Sequence, residues 1–427
     1  MKKYAYKFIL LVCIVAIAIY SYSIYIKNTT DYGKKVVLCI PVYGQSYALG
    51  EEAVRITNFD SLRTQYNGRI VNEHLDYIFG YYDHSSRFKQ YIKRLLHYDK
   101  KAFELSLYGM AETLASKLDE DTIICIFPGG VGMAPIHRLT YETAPNKKFI
   151  QEIAYAYENA QKRGWEFNIP AICWMQGESD IVNYPGTDYK TILIQMHLNF
   201  NKAIKEITHQ ENDVRMICYQ TNVITKGSEF KQNNYYAKET LAPESQMELI
   251  RDDTLFWASC PVYPLSFVKE DLHIDAVSQK RVGHYAALSI LKLLRHGKHF
   301  TGVIPTQTSV NGNDIHISFN VPCAPLCFDT INVKKAQHYG FSVIQKDNTN
   351  IVDTVCLVQD TIIIKCKKSP VGCRIRYAIN GESRKSGWRI GPRGNLRDSQ
   401  GDNYKIRIQD KDYPQHNWCY MFDYICQ

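Results

Sequence analysis

Short apolar runs alternate with longer amphipathic segments over most of this chain, and the alternation limits the possible folds more than any other feature. The apolar runs, which predict buried strands, are Val36–Val42, Thr122–Phe127, Ile169–Met175, Val214–Tyr219 and Thr254–Ala258. The longer segments, which predict helices, are Lys101–Leu118, Asn146–Arg163, Tyr189–Ile207 and Val277–His296. Continuously apolar strands separated by helices predict a parallel sheet covered on both faces.

The sequence changes character after Gly297, where helical periodicity stops. Alternating segments take its place, among them Asp314–Asn320, Ile351–Val358 and Asp360–Cys366, and glycine- and proline-containing turns separate them. This pattern predicts a second, antiparallel β domain, either a sandwich or a jelly roll. We therefore expect an α/β domain over residues 31–298 and a β domain over residues 299–427.

The first 30 residues predict export. Lys2, Lys3 and Lys7 precede an apolar stretch, residues 8–26, that approaches the length needed to cross a bilayer. A cleaved signal peptide and a retained membrane anchor both fit this pattern. Either one directs the rest of the chain out of the cytoplasm, as a periplasmic, secreted or membrane-anchored protein.

Charge and cysteine content exclude several classes of function. The 51 basic and 43 acidic residues give a net charge of +8 without a basic block, so no nucleic-acid partner is predicted. The thirteen cysteines include no CxxC pair and no cluster with zinc spacing. Those in strand candidates, Cys39, Cys125, Cys173 and Cys218, are typical buried packing residues. Export would permit disulfides among the later cysteines.

Chemistry-bearing residues follow the strand candidates, where the active sites of parallel sheets form. Gly44-Gln45-Ser46 directly follows the first strand, and Ser46 is a candidate nucleophile, although a helix N-cap is the alternative. Ala48 excludes the Gly-x-Ser-x-Gly elbow of α/β-hydrolases. A candidate base, His273, follows two acids, Glu270 and Asp271.

Two further strand ends carry groups that can bind an oxyanion. Gln176 lies in the segment Trp174-Met175-Gln176-Gly177-Glu178-Ser179-Asp180, and its side-chain amide can donate to developing negative charge. The glycine-rich segment 129–132 allows close approach of a backbone N–H to a substrate. It lacks the Gly-Lys-Ser/Thr of a P-loop, which argues against a nucleotide-binding protein.

Together these segments resemble the SGNH (GDSL-like) hydrolases, in particular carbohydrate O-acetylesterases of the sialate O-acetylesterase type. The resemblance rests on Gly-Gln-Ser, Trp-x-Gln-Gly-Glu-x-Asp and a late acid-x-x-His in that order, and it covers roughly residues 36–298. It implies a three-layer α/β/α (flavodoxin-like) fold. It also implies a serine esterase that uses no metal or other cofactor and removes O-acetyl groups from a glycan.

The resemblance also implies roles for single residues. Ser46 would be the nucleophile and His273 the general base, while Gly130, Gln176 and the N–H of Ser46 would form the oxyanion hole. The residues expected to shape the strand end and bind substrate are Gln45, Trp174, Glu178 and Asp180. The family usually has Asp three residues before the histidine, and here Glu270 stands there. Glu270, Asp271 or backbone carbonyls could orient the imidazole.

Two other hypotheses fit the same sequence. One is a noncatalytic glycan-binding protein on an esterase fold, and the other is an esterase, lipase or thioesterase of different scope. The C-terminal region is similar to the β domain that follows the esterase in some bacterial and phage-borne sialate O-acetylesterases, on residues 390–399 and 417–419. That domain would bind glycan or cap the catalytic domain.

Overall fold

The computed structural model describes residues 35–76, 103–183, 188–221, 241–382 and 385–427. The predicted export segment lies outside these residues. Within the described ranges, no helix is both long and apolar enough to cross a membrane.

Parallel strands form the centre of the α/β part. One sheet has the order β3-β4-β1-β6 and the other β5-β2-β7-β8-β9, and every pairing in both is parallel. The strands are β1 Val36–Cys39, β2 Val42–Gly44, β3 Ile70–Val71, β4 Thr122–Cys125, β5 Pro128–Gly130, β6 Glu166–Asn168, β7 Ala171–Met175, β8 Arg215–Gln220 and β9 Phe256–Pro261. The α/β prediction with a parallel sheet is confirmed.

Helices occupy the connections between these strands. They are α1 Phe59–Gln65, α2 Ser106–Lys117, α3 Ala144–Lys162, α4 Glu178–Asn183, α5 Tyr189–Thr208, α6 Leu241–Asp252 and α7 Ala276–His296. Three of the long helices begin where a side chain accepts a hydrogen bond from a free N–H of the first turn: Thr143 caps α3, Asp188 caps α5 and Asp275 caps α7. These caps explain why α3, α5 and α7 begin within about two residues of their predicted starts.

The C-terminal part is built from antiparallel strands, as predicted. A four-stranded sheet has the order β10-β11-β15-β14 and a three-stranded sheet the order β13-β16-β20, while β12 pairs with β17 and β18 with β19. The elements are β10 Ile304–Asn311, β11 Asp314–Asn320, β12 Cys327–Phe328, β13 Phe341–Ile344, β14 Val352–Val358, β15 Thr361–Cys366, β16 Arg374–Tyr377, β17 Leu396–Arg397, α8 Gln400–Asn403, β18 Lys405–Ile408, β19 Lys411–Pro414 and β20 Phe422–Ile425.

Some elements differ from the sequence prediction for identifiable reasons. The single strand expected over residues 36–42 divides into β1 and β2, because Pro41 has no N–H to continue the ladder. The helix α6 and the short strands of the β domain were not predicted, since they have too few residues or too weak a period. The twelve cysteines in the described part are all unpaired, and the five in the parallel strands, which are Cys39, Cys125, Cys173, Cys218 and Cys260, are buried.

A buried glutamine joins the two parts of the chain. Gln220, at the end of β8, donates to the carbonyl of Met421 at 2.9 Å and accepts from the N–H of Met421 at 2.7 Å. Its amide also donates to the carbonyl of Pro243. Tyr263 adds a hydrogen bond to the carbonyl of Cys419 at 2.9 Å. The β domain is therefore attached at the carboxyl ends of the parallel strands.

Replacement of Gln220 by Ala leaves two buried backbone groups of Met421 without partners. An unpaired buried group costs about 1–3 kcal/mol, so the apparent Tm should fall by roughly 5 °C. Thermal unfolding followed by circular dichroism measures the shift. Gln307, which is exposed on β10, provides the control: its replacement by Ala should leave Tm unchanged. Equal Tm values for both variants would show that this junction does not stabilise the fold.

Candidate active site

Ser46 lies in the turn that directly follows β2. The N–H of Gln45 donates to the carbonyl of Met175 on β7 at 3.0 Å, which fixes the start of the turn. Gly44 is required there, because a Cβ would lie 2.0 Å from the carbonyl oxygen of Met175. Ser46 itself is only 4% exposed, and its N–H has no acceptor among the described residues.

Gly130 ends the neighbouring strand β5, at the edge of the sheet. It has a φ of +115°, and a Cβ there would lie 1.8 Å from the carbonyl oxygen of Gly44, so no other residue fits. The N–H of Val131 donates to Gly44, and the alternation of N–H directions along a strand turns that of Gly130 away from β2. In the described part of the chain the Gly130 N–H is not hydrogen bonded.

The loop between β9 and α7 carries His273 to the same end of the sheet. The carbonyl of His273 accepts a hydrogen bond from the N–H of Val268 at 2.8 Å. The Tyr47 hydroxyl donates a hydrogen bond to the carbonyl of the preceding residue, Leu272. The rings of Tyr47 and His273 have centroids 5.8 Å apart. The candidate base is thus held next to the residue that follows the candidate nucleophile.

A carboxylate that the sequence motifs did not single out contacts His273. The Oε2 atom of Glu52 lies 2.9 Å from the Nδ1 atom of the imidazole. Asp271 points elsewhere, with its Oδ1 atom 3.9 Å from the Nζ atom of Lys385. The backbone of Glu270 ends the 3-10 helix before this loop, and its side chain lies outside the described structure. The only signal for Glu52 was its position six residues after Ser46.

Glu178, the first residue of α4, is buried beneath the Ser46 turn. Its carboxylate accepts from Gln45 Nε2 at 2.9 Å and from the Tyr219 hydroxyl at 2.7 and 2.8 Å. Burial raises the pKa of Glu178, and the hydrogen bond from Tyr219 and the charge of His273 act to lower it. Two predicted site residues, Gln45 and Glu178, are therefore joined under the nucleophile.

The other predicted site residues at the end of β7 are held by hydrogen bonds to one another and to neighbouring residues. The indole of Trp174 donates to the hydroxyl of Tyr189 at 3.0 Å. Asp180 accepts from the N–H of Ile136 at 3.0 Å and from the side-chain amide of Gln176, and burial raises its pKa to about 6. The Gln176 amide donates also to the carbonyl of Ala134. In this structure both of its hydrogens are occupied, and its role in an oxyanion hole stays a prediction.

A pocket of about 250 Å³ opens beside the Ser46 turn. Its lining includes Leu49 of that turn, Gly130 and Val131 of the β5 end, and Lys148 and Glu152 of α3. A second pocket of about 310 Å³ shares the Val131 wall and adds the side chains of His137 and Arg138. The two spaces together provide room and polar groups for a ligand larger than an acetyl group.

Glu73 lies behind the α3 wall of this pocket. One cluster among the described residues has the spacing of a metal site. It consists of Glu73, His74 and Glu152, whose potential ligand atoms lie within 4.8 Å of one another. Burial, with the nearby charge of Glu152, raises the pKa of Glu73 to about 8. Lys148 opposes this shift. Glu73 therefore carries a proton in the folded protein at neutral pH.

The raised pKa of Glu73 predicts a pH-dependent loss of stability. Folding takes up a proton here, so the stabilisation is complete below the ordinary value of 4.5 and is lost as pH rises towards about 8. Glu73→Gln cannot ionise, and between pH 5 and pH 9 its stability relative to the unmodified protein should rise on the order of 3 kcal/mol. Urea unfolding at several pH values measures this. The exposed Glu158→Gln should show no such trend, and a flat difference for Glu73→Gln would refute the assignment.

Comparisons with known proteins support the fold. No family model matches the sequence, and no curated protein matches it either. Among solved structures, a carbohydrate acetylesterase from Xanthomonas citri matches with a TM-score of 0.55 and 12% identity, over 90% of this chain and 80% of the other. NanS matches with a TM-score of 0.41 and 14% identity, over 62% and 99% of the two chains. Est24, a carbohydrate acetylesterase from Sinorhizobium meliloti, matches with a TM-score of 0.33 and 12% identity, over 60% and 99%.

The match to the Xanthomonas protein extends over both parts of the chain, and the TM-scores of the other two are too low to add to it. At this identity the match establishes the architecture rather than the activity. Combined with the parallel sheet and the order of its strand-end loops, it shows that this chain has the SGNH-hydrolase fold, as the sequence resemblance predicted.

Proposed function

We propose that this protein is a serine esterase that removes O-acetyl groups from a carbohydrate. The observation that carries the proposal is the meeting of the Ser46 turn, the His273 loop and the end of β5 at one edge of the sheet. A hydroxyl, an imidazole and two N–H groups that have no acceptor among the described residues are the parts that acyl transfer requires.

The proposed reaction has two steps. The Nε2 atom of His273 takes the proton of the Ser46 hydroxyl as its oxygen attacks the ester carbonyl. The N–H groups of Ser46 and Gly130 donate to the resulting oxyanion, and the alcohol leaves with the proton from His273. Water then releases acetate from the acyl-enzyme by the same route. One such donor typically contributes about 3–4 kcal/mol to stabilising the transition state.

The two pockets at the Val131 end of β5 support a carbohydrate as the alcohol portion. Their walls combine the apolar Leu49 and Val131 with the charged Lys148, Glu152 and Arg138, a mixture that can hydrogen bond to sugar hydroxyls. The Xanthomonas citri protein that matches this fold is a carbohydrate acetylesterase, which favours the same substrate class.

We propose an acidic sugar of the sialate type as the substrate. The pocket walls carry His137, Arg138 and Lys148 against a single acidic side chain, Glu152, and a sugar carboxylate would complement the basic groups. Acetate release from O-acetylated sialic acid, compared with release from acetylated xylan, tests this choice. Preference for xylan would leave the esterase proposal standing and overturn the sialate one.

We also propose that the protein acts outside the cytoplasm. The basic and apolar segment over residues 2–26 supports this location.

Replacement of Ser46 by Ala removes the proposed nucleophile. Hydrolysis of an aryl acetate should fall at least about 10³-fold in kcat while Tm is unchanged, because the small buried side chain is replaced without a large cavity. Absorbance of the released phenol measures the rate. Ser61, exposed on α1, provides the matched control, and its Ala variant should retain full activity. Normal hydrolysis by Ser46→Ala would overturn the proposed function.

A further inference from the structure

His273 has an acidic partner that lies outside its own loop. The distance of 2.9 Å between Glu52 Oε2 and His273 Nδ1 is that of a hydrogen bond between charged or polar groups. The imidazole is largely buried, with its side chain 14% exposed, whereas the Glu52 side chain is 61% exposed. A solvent-exposed carboxylate therefore contacts a largely buried imidazole.

The backbone of the Ser46 loop directs Glu52 to this position. Glu52 has a φ of +66°, a left-handed conformation that non-glycine residues rarely adopt. The loop is closed by hydrogen bonds from the N–H of Glu51 to the carbonyl of Ser46 at 3.1 Å and from Ala53 to Gly50 at 3.1 Å. The same short loop thus positions the nucleophile and a carboxylate for the base, and its unusual backbone is maintained by its own hydrogen bonds.

Three other carboxylates lie near this loop, and each is directed elsewhere. Glu178 is hydrogen bonded to Gln45 and Tyr219. The Oε1 atom of Glu51 is packed against Gly132, where a Cβ would come within 2.1 Å of it. Asp271 accepts from the N–H of Leu272 and faces Lys385. Among the described side chains, the hydrogen bond of Nδ1 is to Glu52.

We propose that Glu52 is the positioning residue of the active site and takes the place of an acid on the histidine loop. Its carboxylate accepts a hydrogen bond from the Nδ1–H of His273, which fixes the tautomer that leaves Nε2 free to receive the Ser46 proton. The imidazolium formed during attack is stabilised by the carboxylate, and Glu52 itself takes up no proton. This inference rests on the proposed esterase function of Ser46 and His273.

Kinetics of three variants on an aryl acetate test the proposal. Glu52→Gln should lower kcat at least about 30-fold and change KM less than about threefold, because it removes charge from the transition state only. Glu52→Asp keeps the charge on a shorter side chain and should recover part of kcat. Asp271→Asn, on the histidine loop itself, is the matched control and should stay within about twofold of the unmodified enzyme.

Chemical rescue separates positioning from a merely structural role. Glu52→Gly also accepts the left-handed φ, and added formate should restore part of its kcat by occupying the vacated carboxylate position. Formate should have no effect on Ser46→Ala. Full kcat in Glu52→Gln, or an effect of Asp271→Asn larger than that of Glu52→Gln, would overturn the role of Glu52. If Ser46→Ala is inactive in the same experiment, the proposed esterase function survives that result.

Discussion

The buried carboxylate of Glu178 is the constraint on which the arrangement of the site depends. Burial of a carboxylate without hydrogen bonds would cost several kcal/mol, so this fold must bring donors to it. Gln45 from the nucleophile turn and Tyr219 from β8 supply them. The ends of three parallel strands are thereby held in one arrangement, and the turn carrying Ser46 is fixed from below. A flexible turn could not keep a nucleophile aligned with a base on another loop.

The loop that carries His273 is also held by contacts with another part of the chain, the β domain. The Ser386 hydroxyl donates to the carbonyl of Leu265 at 3.3 Å, and Lys385 faces Asp271. At the other end of the loop, Asp275 caps α7 and accepts from the Ser266 hydroxyl at 2.6 Å. The β domain therefore contacts the segment that carries the base, which supports a capping role for it. These contacts add to the buried junction that Gln220 and Met421 form between the two parts of the chain.

The sequence was sufficient for the architecture because buried parallel strands and capped helices leave a strong local pattern. It also indicated which strand ends meet, since the carboxyl ends of parallel strands lie on one edge. It could not indicate that Glu52 contacts His273, because two residues 221 positions apart in the chain leave no periodic signal. The motif around His273 instead directed attention to Glu270 and Asp271. For Gln176, the sequence predicted a free donor, and only the packing of Asp180 and Ala134 reveals that both its hydrogens are occupied.

The central claim is that Ser46 is a nucleophile activated by the surrounding site. Reaction of the full chain with a fluorophosphonate ester, followed by intact-mass measurement and peptide mapping, tests this directly because such reagents modify activated serines in proportion to their reactivity. We expect one phosphonyl group per chain, located on the Oγ atom of Ser46. A folded protein that remains unmodified, or one modified at a different serine, would contradict it.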